Sequence, residues 1–142
     1  ENFRPGETAV AGDLPWGLLG LTVCYDLRFP ALYRALAEAG ASFLAVPSAF
    51  TRQTGEAHWH ALLRARAIEN QAWVLAPGQF GHHGGKRNSY GKSMIIDPWG
   101  IPVAIAKDGI GVAIAEIDLD YQDKVRAGLP CHTHRHAHFW DS

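Results

Sequence analysis

Cysteine is scarce in this chain of 142 residues: Cys24 and Cys131 are the only two, far apart in sequence. They are too few for a disulfide framework and suit a chain that keeps its thiols reduced, so a cytoplasmic location is expected. An excess of one charge is lacking too. With 13 basic and 14 acidic residues the formal net charge is -1. Composition therefore gives no basic face, and nucleic acid is not an expected partner. Long apolar runs are missing: none approaches the length of about 20 residues needed to cross a bilayer, and no membrane partner is expected. The start, Glu1-Asn2-Phe3-Arg4-Pro5-Gly6, has neither a signal-type apolar stretch nor an initiator Met. We expect the chain to be a truncated part of a longer gene product. Internal repeats and low-complexity linkers are absent as well.

What is present has an α/β pattern. Hydrophobic residues make up 47% and charged residues 19%, as in ordinary folded chains, and the length suffices for one domain with a core. Residues 18–23 form a nearly unbroken apolar run of strand type ending at Cys24. Pro30 suits a first helical turn, where its missing N–H costs nothing. Leu32, Tyr33, Leu36 and Ala37 then recur at helical spacing, and Gly40 closes that helix. Residues 43–46 predict the next buried strand, stopped by Pro47. Residues 51–55 predict a polar loop, 57–70 a second helix and 72–76 a third strand. This alternation implies a largely parallel sheet.

The second helix carries Trp59, Leu62, Leu63, Arg66 and Asn70 on one side and Ala61, Ala65 and Ile68 on the other. Two such faces predict cover on both sides, by the helix's own sheet and by a second layer or subunit, and a homo-oligomer is expected. Arg66 shares its face with apolar residues, so its charge needs a buried partner, for which an acid outside this chain is a candidate. Farther along, residues 93–96 and 101–106 predict two strands around the turn Asp97-Pro98-Trp99-Gly100. Residues 110–117 predict another strand, and Asp118 an N-cap for a helix to about residue 126.

Chemistry is suggested first by Cys24. A cysteine at the C-terminal end of a buried strand sits where open α/β sheets hold their ligands. Sulfur is the strongest side-chain nucleophile near neutral pH when its surroundings favour the thiolate. A helix beginning just after it aims backbone N–H groups at the same space, where an oxyanion could be held. A buried, inert small residue is the other reading of a cysteine so placed.

Four blocks in order decide between these. They are Gly20-Leu21-Thr22-Val23-Cys24-Tyr25-Asp26-Leu27-Arg28-Phe29-Pro30, then Pro47-Ser48-Ala49-Phe50 with Thr54-Gly55-Glu56-Ala57-His58-Trp59. Leu63-Arg64-Ala65-Arg66-Ala67-Ile68-Glu69-Asn70 follows, and Tyr90-Gly91-Lys92-Ser93 through Asp97-Pro98-Trp99-Gly100 closes the series. Together they resemble the nitrilase superfamily of carbon–nitrogen hydrolases from about residue 3 to about residue 136. The stretch Gly78-Gln79-Phe80-Gly81-His82-His83 with Lys86-Arg87-Asn88-Ser89-Tyr90-Gly91 is similar to the Nit1-type version of the Nit branch. Members of that branch hydrolyse small ω-amides, the Nit1-type ones deaminated glutathione.

The resemblance implies a Cys nucleophile, a Glu general base and a Lys that stabilises the tetrahedral intermediate, with no metal or cofactor. Cys24 matches the nucleophile, and the backbone N–H of Tyr25 matches an oxyanion donor. Glu and Lys belong upstream of the cysteine in this family. The residues preceding Cys24 contain no lysine, and Glu7 lies in what reads as a loop. The expected fold is thus the C-terminal half of an α-β-β-α sandwich, spanning residues 1–142, without the half that carries Glu and Lys.

Other positions match with alternatives left open. Arg28 is a candidate clamp for a substrate carboxylate or an ion-pair partner of Asp26. Phe50 and Thr54 match substrate-binding positions, although Thr54 also suits plain turn chemistry. His60 stands where many relatives have a glutamate; it is a candidate auxiliary group or a partly exposed helix histidine. The histidine-rich tail from Cys131 to His138 fits no standard zinc spacing, and no metal site is assigned. The expected function is amidase chemistry on a small-molecule amide. The alternatives are a non-catalytic fragment serving assembly, and an unrelated Cys–His hydrolase using His58 or His60.

Overall fold

The structure, a computed structural model, describes residues 4–136. A six-stranded sheet in the order β1-β2-β3-β4-β7-β8 forms its frame. The strands are β1 (Val10–Leu14), β2 (Gly17–Leu21), β3 (Ala41–Ala45), β4 (Trp73–Ala76), β7 (Met94–Ile96) and β8 (Pro102–Ile105). A separate hairpin pairs β5 (Phe80–His82) with β6 (Asn88–Tyr90). The central β2, β3 and β4 are parallel, as the alternation of strands and helices implies. Both flanks run antiparallel to them: β1 turns back along β2, and β7 and β8 fold back from β4.

Helix α1 (Pro30–Glu38) begins with Pro30 in its first turn and ends before Gly40, whose φ of +97 suits glycine. The second helical segment differs from expectation. It starts at Arg52 rather than 57, as α2 (Arg52–Thr54), a π-helical turn (Gly55–Trp59) and α3 (His60–Asn70). The polar residues first assigned to a loop are its cap: the Thr51 side chain accepts the Thr54 N–H. Gly55 is tolerated there because no side chain fits; a Cβ would lie 2.3 Å from the Tyr90 side chain. Helix α4 (Leu119–Gly128) carries the predicted Asp118 cap, whose carboxylate accepts the Tyr121 N–H.

Pairing register explains which face is dry. Gly20, Leu44, Val74 and Ile96 stand in one row across β2, β3, β4 and β7, and all four are buried under the helices. Tyr33, Leu36, Trp59, Leu63 and Ala67 supply the helical side of that core. The adjacent row, Leu21, Ala45, Leu75 and Ile95, turns to the other face and is covered incompletely or not at all. Helix α4 closes the opposite end of the parallel strands: Gln122 donates to the carbonyls of Ser42 and Gln71, and Arg126 to those of Gln71 and Ala41.

One more expectation needs correction. Residues 110–117 form no strand among the described residues, because nothing pairs with them. Their alternating apolar side chains are instead exposed, Val112 at 79% and Ile114 at 81%. On the second face of α3, for which cover by a second layer or subunit is expected, Ala61 and Ile68 are exposed in this chain and Ile68 rests against Gly100. No helix of the described residues is long and apolar enough to cross a membrane.

Candidate active site

The chain leaves β2 at Leu21 and reaches Cys24 three residues later, at the C-terminal end of the parallel strands. Cys24 adopts φ +47, the left-handed region that side chains other than glycine occupy at a cost of about 1–3 kcal/mol. The surroundings hold it there. Its N–H donates to Pro47 O at 2.9 Å, tying the turn to the end of β3. The Asp26 carboxylate reaches back to the Val23 N–H at 2.8 Å, and the Asp26 N–H donates to Val23 O. A short 3-10 turn, Cys24–Arg28, follows. Tyr25, the second residue of that turn, is exposed.

Behind the turn lies a buried polar scaffold. Thr22 donates its hydroxyl to Ala45 O (2.8 Å) and meets the Tyr33 hydroxyl at 2.7 Å. Burial pushes the Tyr33 phenol up to about 12, against the opposing Thr22 bond and Arg66 charge, so it stays protonated. Arg66 sits over the Tyr33 ring at 5.3 Å and sends two N–H groups to Leu27 O, at 3.1 and 2.7 Å. Its remaining charge is met by Glu69 of its own helix at 2.7 Å. The partner expected from outside the chain is thus a backbone carbonyl and a local acid.

Cys24 opens onto a groove of about 470 Å³ with Val23, Pro47, Ser48, Pro77, Gly78 and Ser93 around it. These are the residues just past the C-terminal ends of β2, β3 and β4, plus the one before β7, so strand topology assembles the groove. Ser93 fixes one wall: its hydroxyl accepts the Gly78 N–H at 2.8 Å. Gly78 approaches the Gly91 carbonyl so closely that a Cβ would stand 2.6 Å from the oxygen. The quoted sequence blocks contained all of these wall residues except Pro77, but only tertiary pairing shows that 47–48, 77–79 and 93 meet.

Of the named candidates only Cys24 lines the groove. Tyr25, Arg28 and Phe50 lie beside one another. The Arg28 guanidinium stands 5.7 Å from the Tyr25 ring centroid and 5.4 Å from that of Phe50, and meets His58 Nδ1 at 3.5 Å. Its ion pair with Asp26 is not formed, since that carboxylate caps Val23. Phe50 packs inward on Trp59, ring centroids 5.0 Å apart. Thr54 and His60 do not line the groove at the sulfur. The Thr54 hydroxyl bonds that of Thr51 at 2.9 Å within the helix cap. His60 meets the Tyr90 ring edge-on at 6.2 Å, and burial, then the charge of Lys92, lowers its basicity below that of a free histidine. His58, which faces Arg28, is absent from the groove lining as well.

Among the described residues no three His, Cys, Asp or Glu side chains converge as a metal site would require. His132 of the tail instead meets Asn70 O at 3.2 Å, while His138 lies outside the described residues.

A family model described as carbon-nitrogen hydrolase matches residues 2–127. The deaminated glutathione amidase of Dictyostelium discoideum is 52% identical over 133 residues, covering 93% of this chain and 46% of that protein. The chain thus spans about half the length of this curated relative. Among solved structures, the Caenorhabditis elegans NitFhit protein superposes with a TM-score of 0.88 at 51% identity, over 90% of this chain and 31% of that one. A variant amidase from Nesterenkonia sp. AN1, with acrylamide added at its active site cysteine, gives a TM-score of 0.73 at 32% identity, over 89% and 50%. A thiol held on a strained turn at the end of three parallel strands is therefore found in a chain that belongs to the carbon-nitrogen hydrolase family.

Proposed function

We propose that this chain is the nucleophile-bearing, C-terminal part of a longer amidase, and that Cys24 forms a thioester with the acyl group of a small amide. The observation that supports this reading is the left-handed turn at half-buried Cys24, which lines the groove. Thiolate attack on the amide carbonyl puts negative charge on the oxygen, for which we assign the backbone N–H of Tyr25, the next residue, as donor. Collapse of that intermediate expels the amine, and water then cleaves the thioester to the carboxylate. The Glu and Lys that such chemistry uses would come from the rest of the protein. The incompletely covered row Leu21, Ala45, Leu75 and Ile95 supports a missing layer on that face.

The substrate we assign is a small ω-amide of the deaminated glutathione kind, which the relative's name supports. Arg28, stacked against two rings beside the turn, would hold an acid group of the acyl portion, with Phe50 and Thr54 behind it. His60 is an auxiliary positioning group at most, acting through the Tyr90 and Lys92 side. A homo-oligomer in the cytoplasm fits the exposed helix face and the two free thiols.

The decisive experiment uses the intact gene product with a panel of ω-amides. Intact-mass analysis after rapid acid quench should show an acyl adduct that disappears in Cys24→Ala together with turnover. Turnover that survives Cys24→Ala would sink the proposal. An intact protein with no activity and no adduct would favour a role in assembly.

A further inference from the structure

Residues 22–29 carry the chain from the end of β2 to the start of α1, with Cys24 among them. Several of their hydrogen bonds are local. The Asp26 carboxylate accepts the Val23 N–H, the Asp26 N–H donates to Val23 O, and the Phe29 N–H donates to Asp26 O. Bonds of this kind give a turn its shape, but they travel with it and cannot fix its place. Placement needs ties to other elements. Upstream these run to the end of β3 and just beyond: the Thr22 N–H and hydroxyl both donate to Ala45 O, and the Cys24 N–H donates to Pro47 O.

Downstream of Cys24 the buried tie is Leu27. Its side chain is buried in the core, and its carbonyl receives two N–H groups from Arg66 of α3, at 3.1 and 2.7 Å. The contact between Arg28 and His58 Nδ1 on the same side is exposed and longer, at 3.5 Å. A charged donor makes a stronger hydrogen bond than a neutral one, and a planar fork also fixes direction. Arg66 is itself held. It donates to Glu69 at 2.7 Å, and its guanidinium stands 5.3 Å from the Tyr33 ring centroid.

The Tyr33 hydroxyl in turn meets that of Thr22 at 2.7 Å. Residues 22 and 27, on either side of Cys24, are therefore joined through one chain of contacts: Thr22, Tyr33, Arg66, Leu27. Between them Cys24 takes φ +47, a conformation that a residue with a side chain keeps only where its surroundings over-determine it. Arg66 is 5% exposed and does not line the groove. It can influence a bound amide only through the turn.

We infer that Arg66 is a positioning residue for Cys24: its fork on Leu27 O keeps the turn wound and holds the thiol in its left-handed place at the groove. The inference rests on the thioester reading and adds to it a requirement that lies outside the groove. With the fork gone, the strained backbone at Cys24 relaxes, and the sulfur leaves the geometry that attack on a carbonyl needs. The groove walls at Pro47, Ser48, Pro77, Gly78 and Ser93 make no contact with Arg66, so substrate binding should change little.

The test uses the intact gene product and an ω-amide. Arg66→Met and Arg66→Lys are compared with Arg126→Met, which removes donors to Gln71 O and Ala41 O at the opposite end of the parallel strands. Rates are taken per folded molecule, well below the melting temperature of each protein. Arg66→Met should lower kcat about 10- to 100-fold, with KM within about threefold of wild type, as for loss of an effect felt in the transition state. The acyl adduct should appear correspondingly more slowly after rapid acid quench. Arg66→Lys, which keeps the charge without the fork, should lie between, with kcat down about 3- to 10-fold. Arg126→Met should lower the denaturation midpoint and hold kcat within about twofold of wild type. A wild-type kcat in Arg66→Met overturns the assignment, as does a rise in KM in place of the fall in kcat, or an equal fall in Arg126→Met. Should Arg66→Met not fold, the kcat of Arg66→Lys decides on the same terms. A wild type that forms no acyl adduct at Cys24 brings down the amidase reading, and this inference with it.

Discussion

Arg66, on α3, holds the carbonyl of Leu27, three residues beyond Cys24, with two guanidinium N–H groups at 3.1 and 2.7 Å. Both residues are buried. The side chain therefore links the long helix to the turn that carries Cys24. Only a planar fork can make both bonds while also reaching Glu69.

Arg66→Met should leave Leu27 O buried without a donor and destabilise the fold by about 1–3 kcal/mol. Arg66→Lys should recover only part of that, because an ammonium cannot reproduce the fork. Chemical-denaturation midpoints of the three proteins check the order wild type, Lys, Met.

Thr22 and Tyr33 form a hydroxyl pair whose members are unequal. Tyr33→Phe removes one bond while Thr22 keeps its bond to Ala45 O, at a cost of about 0.5–1.5 kcal/mol. Thr22→Val strands the buried Tyr33 hydroxyl, while Ala45 O keeps the residue-22 N–H at 3.1 Å, and should cost more. A double-mutant cycle read from denaturant midpoints should show coupling, with the double variant less destabilised than the sum.

Gly55→Ala places a methyl 2.3 Å from the Tyr90 side chain. Overpacking of this kind costs about 1–3 kcal/mol, so the melting temperature should fall. Tyr90→Ala should relieve little of this, because the Tyr90 Cβ itself lies at 2.3 Å, whereas Gly55→Ala combined with Tyr90→Gly should recover part of the loss.

Acid should weaken the fold through two histidines. Burial lowers the basicity of His60 and of His132 below that of a free histidine, about 6.5. The folded state then binds fewer protons than the unfolded one below that pH. Stability is fully present above about pH 6.5 and declines as pH falls toward the depressed folded values. Denaturant midpoints between pH 8 and pH 5 should show this slope. His60→Gln should flatten it, and a slope unchanged in both single variants, His60→Gln and His132→Gln, would falsify the assignment.

Local signals made the central part of the fold legible. Strands β2, β3 and β4, the Pro30 start, the Gly40 stop and the Asp118 cap each depend on residues close in sequence. Legibility failed where a distant partner decides. Gly55 looked like a breaker because the Tyr90 ring that requires its small size lies far along the chain. Residues 110–117 have strand composition, but a ladder needs a neighbour and none pairs with them among the described residues. Strand β1 and the β5–β6 hairpin gave weak patterns, since short strands at sheet margins carry little buried alternation.

At the candidate site the same division holds. Arg28 and Phe50 were visible in sequence and lie beside each other, whereas the companion of Arg28 was not: Asp26 was the near choice, and His58 occupies the place.

The close passage of Gly78 under Gly91 divides the hairpin into two zones with different freedom. At its root any side chain would wedge the arm away from the sulfur, so that zone tolerates little variation. At its tip, Lys86 and Arg87 are exposed and untethered, and exchange there leaves the root untouched. Such an arm can change its fingertip while the root that walls the Cys24 groove keeps its packing.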